Sequence, residues 1–170
     1  GEGREALVMR ILPSGHRDAA TVAKVVACID SDYGQHWADA THPYDGIPEL
    51  LQGLTARGIK MAVLSNKPDG STKLMVSRLL AHGRFEMVLG SRPSVPKKPD
   101  PAAALEIAGR LGISPSEFLY LGDTNTDMET AQASGMCPIG ALWGFRTADE
   151  LLASGAKALI LSPTDLLRFL

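Results

Sequence analysis

FLYLGDTNTDMETAQASGM, residues 118–136, changes character halfway along. Phe118, Leu119, Tyr120 and Leu121 form a short apolar run suited to a buried strand. DMETAQAS then reads as a helix that stops at Gly135, a residue fitted to the left-handed position after a helix end. Gly122 sits at the switch, followed by two carboxylates, Asp123 and Asp127. Strand, glycine turn and helix make up the repeating unit of a parallel sheet covered by helices. Thr126 with Glu129 fits a capping box, and Asp127 suits the positive end of the helix dipole. Asp123 has no such role. It stands before the helix, at the carboxyl end of the strand, where open α/β sheets bind ligands. On these residues alone GDxxxD is either turn chemistry or a site.

The same alternation runs from Pro43 to the end of the chain. IPELLQGLTARG reads as helix, IKMAVLS as strand, the next stretch as helix to about His82, FEMVLGS as strand and PAAALEIAGRLG as helix. After EFLYLG and DMETAQASG come CPIGALW (strand), TADELLASG (helix), KALILS (strand) and TDLLRFL (helix). Strands separated by helices at this spacing predict an α/β fold with a doubly wound parallel sheet. Helices ending at Gly58, Gly112, Gly135 and Gly155 support the boundaries. Before Pro43 the pattern is helical only. Val22, Val25, Val26, Ile29, Tyr33 and Trp37 recur at helical spacing behind an N-cap at Asp18. Two domains are expected, 1–42 and 43–170.

Composition narrows the functional classes. The 170 residues are 45% hydrophobic and 21% charged, enough to build a core, and a net charge of −2 gives no electrostatic case for nucleic acid or an acidic membrane surface. No apolar run approaches the roughly 18 residues of a membrane span. Cys28 and Cys137 form no metal or redox spacing and are expected to be buried in a reducing compartment, which points to the cytoplasm. His16, His36, His42 and His82 form no ligand set, and Trp37 and Trp143 are expected in packing roles.

The other strand ends carry polar chemistry too. IKMAVLS ends in Ser65, Asn66 and Lys67, where a hydroxyl, a side-chain amide and free backbone N–H groups could hold an oxyanion or simply cap a turn. SVPKKPDP places Lys98 on a stiff proline-rich loop, either to neutralise a phosphate or as one of two solvated lysines.

Ser65, Lys98 and the pair Asp123 and Asp127 fall in the order and spacing of the haloacid dehalogenase superfamily of phosphohydrolases, which the chain resembles along its length. THPYDGIPELL, VLSNK, VPKKPDP, LYLGDTNTDMETAQASGM and ALWGFR resemble its phosphoglycolate phosphatase branch, and GEGREALVMRILP the middle of that branch's helical cap. The resemblance implies a Rossmann-like core, 43–170, with a partial cap, 1–42. It implies a Mg2+-dependent phosphomonoester hydrolase acting on a small phosphorylated metabolite, 2-phosphoglycolate first, through an aspartyl-phosphate intermediate. Asp123 would bind metal, Ser65, Asn66 and Lys98 would bind phosphate, and Asp127 would organise the site. Neighbours on an extended segment point oppositely, so only one of Lys97 and Lys98 can face the site, and the resemblance implies that it is Lys98. Arg146 follows the last strand before a helix and is expected to be structural. The expected assembly is a monomer or homodimer.

One departure is serious. The family's opening strand ends in Asp-x-Asp-Gly-Thr, whose first Asp is the nucleophile, and the chain contains no such sequence. Asp30 and Asp32 lie in a helical pattern, and Asp45-Gly46 has no strand before it. Gly1 aligns with the cap, so the central strand is expected to lie outside this chain, which alone should be inactive. A sugar-phosphate phosphatase, a phosphomutase and an inactive binding module are the alternatives. The pair Asp123 and Asp127 disfavours a dehalogenase, which has no use for Mg2+.

Overall fold

A computed structural model describes residues 4–170, which fall into two compact units, one ending at His42 and the other spanning Pro43–Leu170. In the first, α1 (Arg4–Ile11) and α2 (Ala19–His36) flank a 3-10 turn at Ser14–His16. Asp18 caps α2 by accepting from Thr21 N at 2.9 Å. Val8 is fully buried, and Val22, Val25, Val26, Ile29 and Tyr33 make the partly covered stripe of α2. Cys28 lies off that stripe, beside Lys24, Ala27 and Ser31, and is exposed, against the expectation of burial; Cys137 is half-buried. Arg4 pairs with Asp30 and stacks over the Tyr33 ring at 5.6 Å, tying the two helices.

In the second unit α3 (Ile47–Ala56), β1 (Met61–Pro68), α4 (Asp69–Leu79), β2 (Phe85–Ser91) and α5 (Ala102–Leu111) precede β3 (Leu119–Gly122) and α6 (Asn125–Ser134). Then come β4 (Cys137–Ala141), α7 (Ala148–Ala153) and β5 (Ala158–Ile160). The C-terminal TDLLRFL expected as an α-helix is a 3-10 helix, Pro163–Phe169, entered through a Ser162 and Asp165 capping box with Pro163 in its first turn. Gly58, Gly112, Gly135 and Gly155 all take the left-handed conformation (φ 67°, 65°, 75° and 98°).

All strand pairs are parallel, in two sheets, β1-β2 and β3-β4-β5. Among the described residues β1 pairs only with β2, and β3 only with β4. The parallel sheet is thus interrupted between β1 and β3, as in a core that lacks its central strand. Helices bridge the break on two faces. On one, Leu50, Leu51 and Leu54 of α3 and Leu166 join Met61 of β1 to Ile139 and Ile160 of β4 and β5. On the other, Ala104 and Ala108 of α5 and Ala131 of α6 gather Leu64 of β1 with Phe118 and Tyr120 of the β3 segment. Each fully buried leucine contributes about 1.5–3 kcal/mol, so packing carries what a continuous ladder would otherwise share.

Candidate active site at the strand ends

The strand ends converge on Lys98. In β1 the ladder pairs Leu64 with Leu89 and resumes only at Pro68 with Ser91, so Ser65, Asn66 and Lys67 bulge out of it. A bulge re-aims side chains at a strand end, and β1 accordingly runs past the expected end at Ser65. Ser65 Oγ accepts from Lys67 N at 3.1 Å and keeps its own proton to donate. Asn66 fastens the next loop: its Nδ2 donates to Lys98 O at 3.1 Å and its Oδ1 accepts from Lys98 N at 2.9 Å. Of the groups at this strand end that could hold an oxyanion, the Asn66 side-chain amide is therefore engaged with the main chain of Lys98.

That fastening turns Lys98 inward. Its side chain is 12% exposed, while Lys97 is exposed. Lys98 Nζ donates to Asp127 Oδ1 at 2.6 Å and to Leu64 O at 3.2 Å. Asp127, 9% exposed at its side chain, is held from the other direction. Its Oδ2 accepts from Thr124 N at 3.2 Å and Thr124 Oγ1 at 2.6 Å. Thr124, not Thr126, is the N-cap, and Asp127, not Glu129, closes the capping box. The helix begins earlier than expected because Thr124 is already extended (φ −133°) immediately after the glycine turn. The T-x-x-D spacing from Thr124 was the available signal.

Gly122 now has a physical reason. A Cβ there would lie 2.3 Å from Asp127 Cβ, so only glycine lets the strand end run beneath this carboxylate. Asp123 is seated the same way against Gly144, where a Cβ would lie 2.2 Å from Asp123 Cβ, and its Oδ2 accepts from Phe145 N at 3.1 Å. Residue types point to none of Leu64 O, Gly144 and Phe145 N in these roles, since two are main-chain groups and the third is a matter of space. Tyr120 lies on the α6 side of β3. Its buried hydroxyl has no partner of good geometry among the described residues, and burial with the Asp127 charge pushes its phenol well above the ordinary range.

Hydrogen bonds join Asn66, Lys98 and Asp127 into one group, with Ser65 next to Asn66 in the β1 bulge and Asp123 at the mouth of β3. Arg146 is exposed and pairs with Glu150 at 3.5 Å, Trp143 packs against the core, and the four histidines are exposed. For Mg2+ the donor chemistry fits in part. Asp127 has both oxygens engaged, whereas Asp123 offers Oδ1, a hard oxygen with no bond among the described residues. No three His, Cys, Asp or Glu side chains cluster among the described residues, and Mg2+ commonly takes one or two carboxylates with waters and substrate phosphate. No helix among the described residues is long and apolar enough to cross a membrane.

Residues 10–141 match the family model of the haloacid dehalogenase-like hydrolases. The chain is 34% identical over 143 residues to the phosphoglycolate phosphatase of Thiobacillus denitrificans, covering 82% of this chain and 62% of that protein. It is 30% identical over 164 residues to that of Pseudomonas putida, covering 94% and 60%. The chain thus spans about 60% of the length of these curated relatives. A crystal structure of a Lactobacillus delbrueckii subsp. bulgaricus protein superposes with a TM-score of 0.85 at 30% identity, covering 99% of this chain and 72% of that one. A haloacid dehalogenase-like family protein of Streptococcus pneumoniae shares the fold at a TM-score of 0.83 and 19% identity, covering 99% and 77%. With a family model matched over most of its residues, the chain belongs to the haloacid dehalogenase-like hydrolases.

Proposed function

We propose that this chain carries the phosphoryl-handling part of a Mg2+-dependent phosphomonoester hydrolase, with 2-phosphoglycolate as substrate. The observation that carries the reading is the buried Lys98 ammonium, fixed 2.6 Å from Asp127 at the carboxyl ends of β1 and β3. An ammonium pinned by a carboxylate and a carbonyl needs no reorganisation to meet charge that develops on phosphoryl oxygens. Ser65 Oγ would donate to one of those oxygens, with the Asn66 N–H beside it. Asp127 would act through Lys98, by orienting it. Mg2+, when bound to Asp123 Oδ1, would supply charge neutralisation and a fixed template for the phosphate. The attacking carboxylate would come from an Asp outside these 170 residues and form the aspartyl phosphate, splitting one displacement into two. The edges of β1 and β3 that pair with no strand among the described residues support this, since a strand bearing such an Asp would pair with both. The curated phosphoglycolate phosphatases support the substrate. The reading places the protein in the cytoplasm as a monomer or homodimer, with the 4–42 helices serving as part of a cap.

The test is phosphate release from 2-phosphoglycolate by a protein that carries the Asp-x-Asp strand together with this chain. Lys98→Ala should lower kcat/KM by about a hundredfold and Lys97→Ala by no more than a few-fold. Lys98→Arg should not restore activity, because a planar fork replaces a compact ammonium. Full activity in excess EDTA, or equal losses at the two lysines, would refute the reading.

A further inference from the structure

The segment LWGFR, residues 142–146, touches through its main chain the carboxylate assigned to the metal. We propose that this turn is a positioning clamp for Asp123, which captures Oδ2 and leaves Oδ1 as the oxygen presented to a divalent cation. The proposal rests on the reading of Asp123 as the cation's ligand.

Three observations make the clamp. Trp143 is packed against the core cluster of Leu50, Ile139 and Ile160, which anchors the turn where it leaves β4. Gly144 lies so close to Asp123 that a Cβ would stand 2.2 Å from Asp123 Cβ and 2.4 Å from Oδ2. Phe145 N then donates to Oδ2 at 3.1 Å. The φ of Gly144 is not in the left-handed region, so its glycine is required by space and not by backbone conformation. Phe145 is 84% exposed, so apolar burial does not hold this residue in place and the bond to Asp123 falls to its main chain. A carboxylate with one oxygen tied to an N–H has a fixed plane, and groups that orient a ligand in this way commonly alter metal affinity ten- to a hundredfold when disturbed, about the size expected here.

Amide hydrogen exchange in the 170-residue chain tests the clamp without any cation. Phe145 N–H should exchange slowly in the parent and in Asp123→Asn, whose side-chain oxygen still accepts, and about tenfold faster in Asp123→Ala. Mn2+ titrated into the same chain should broaden the Asp123 and Phe145 amide signals, and Gly144→Ala should raise the Mn2+ concentration required by about tenfold. Should Gly144→Ala not fold, the exchange comparison at position 123 still decides. Parent broadening with exchange unchanged in Asp123→Ala overturns the clamp and leaves Asp123 a ligand. Protection lost in Asp123→Ala with no broadening in the parent removes Asp123 as a ligand, and the proposal with it. Equal Mn2+ requirements in the parent and Gly144→Ala also overturn it.

Discussion

Lys98→Met keeps the length and packing of the side chain and removes only the ammonium. In the parent, Lys98 and Asp127 are 12% and 9% exposed at their side chains, so the substitution leaves a nearly buried carboxylate facing an apolar tip. Breaking one partner out of a buried pair costs about 3–5 kcal/mol. Asp127 keeps its two Thr124 bonds on Oδ2, which places the loss at the lower end, about 3 kcal/mol. For a protein of this size that corresponds to roughly 6–12 °C in Tm. Lys97→Met, at an exposed position, should stay within about 0.5 kcal/mol. Urea unfolding in a Trp37→Phe background reports on the 43–170 unit alone, through Trp143. Asp127→Asn combined with Lys98→Met should cost clearly less than the sum of the two, giving a coupling of about 2 kcal/mol. If Lys98→Met unfolds at the same urea concentration as Lys97→Met, or the double variant is additive, the ion pair does not hold the strand ends together and the geometry assigned to the site is wrong.

Gly122→Ala should destabilise by at least about 3 kcal/mol, because the added Cβ would lie 2.3 Å from Asp127 Cβ; a Tm within 2–4 °C of the parent, the shift of about 1 kcal/mol, would contradict this. Burial raises the Tyr120 phenol above its unfolded value of about 10, so above that pH the unfolded chain sheds a proton that the folded chain keeps, and stability falls as pH rises. Absorbance at 295 nm should show one phenol ionising only as the structure is lost, a step absent from Tyr120→Phe. The Arg92 hydrogen bond holds the Glu106 carboxyl below its ordinary value, so its contribution is present above about pH 4.3 and is lost as pH falls through the folded value. Glu106→Gln should flatten the acid side of the urea-midpoint profile between pH 6 and pH 3, and an unchanged slope would exclude this pair as a cause.

What could be read from the sequence was set by local rules. Strand and helix positions follow from apolar period and glycine stops, which act within a few residues; FEMVLGS and β2 coincide at both ends. That Lys98 and not Lys97 faces inward was legible only through the resemblance, and the structure secures it through the Asn66 bonds to the Lys98 main chain. The Thr124 cap was missed by two residues, because Thr126 with Glu129 satisfied the same rule and only the extended backbone at Thr124 distinguishes them. The engagement of Asn66 with Lys98 joins residues 32 apart, and that of Asp123 with Phe145 joins residues 22 apart. Both use main-chain atoms that every residue possesses, so side-chain identity carries no trace of them.

The break between β1 and β3 reaches beyond the site, into how the chain behaves in a tube. Strand edges without a ladder present rows of N–H and C=O groups to whatever extended backbone arrives first, including that of another copy. Along the ladder residues 61–64 of β1 and 119–122 of β3 there is no proline and no charge, although Lys98 Nζ donates to Leu64 O and β1 ends in Lys67 and Pro68. Concentration will therefore govern how this chain keeps, and turbidity should climb with protein concentration well before the packed helices let go.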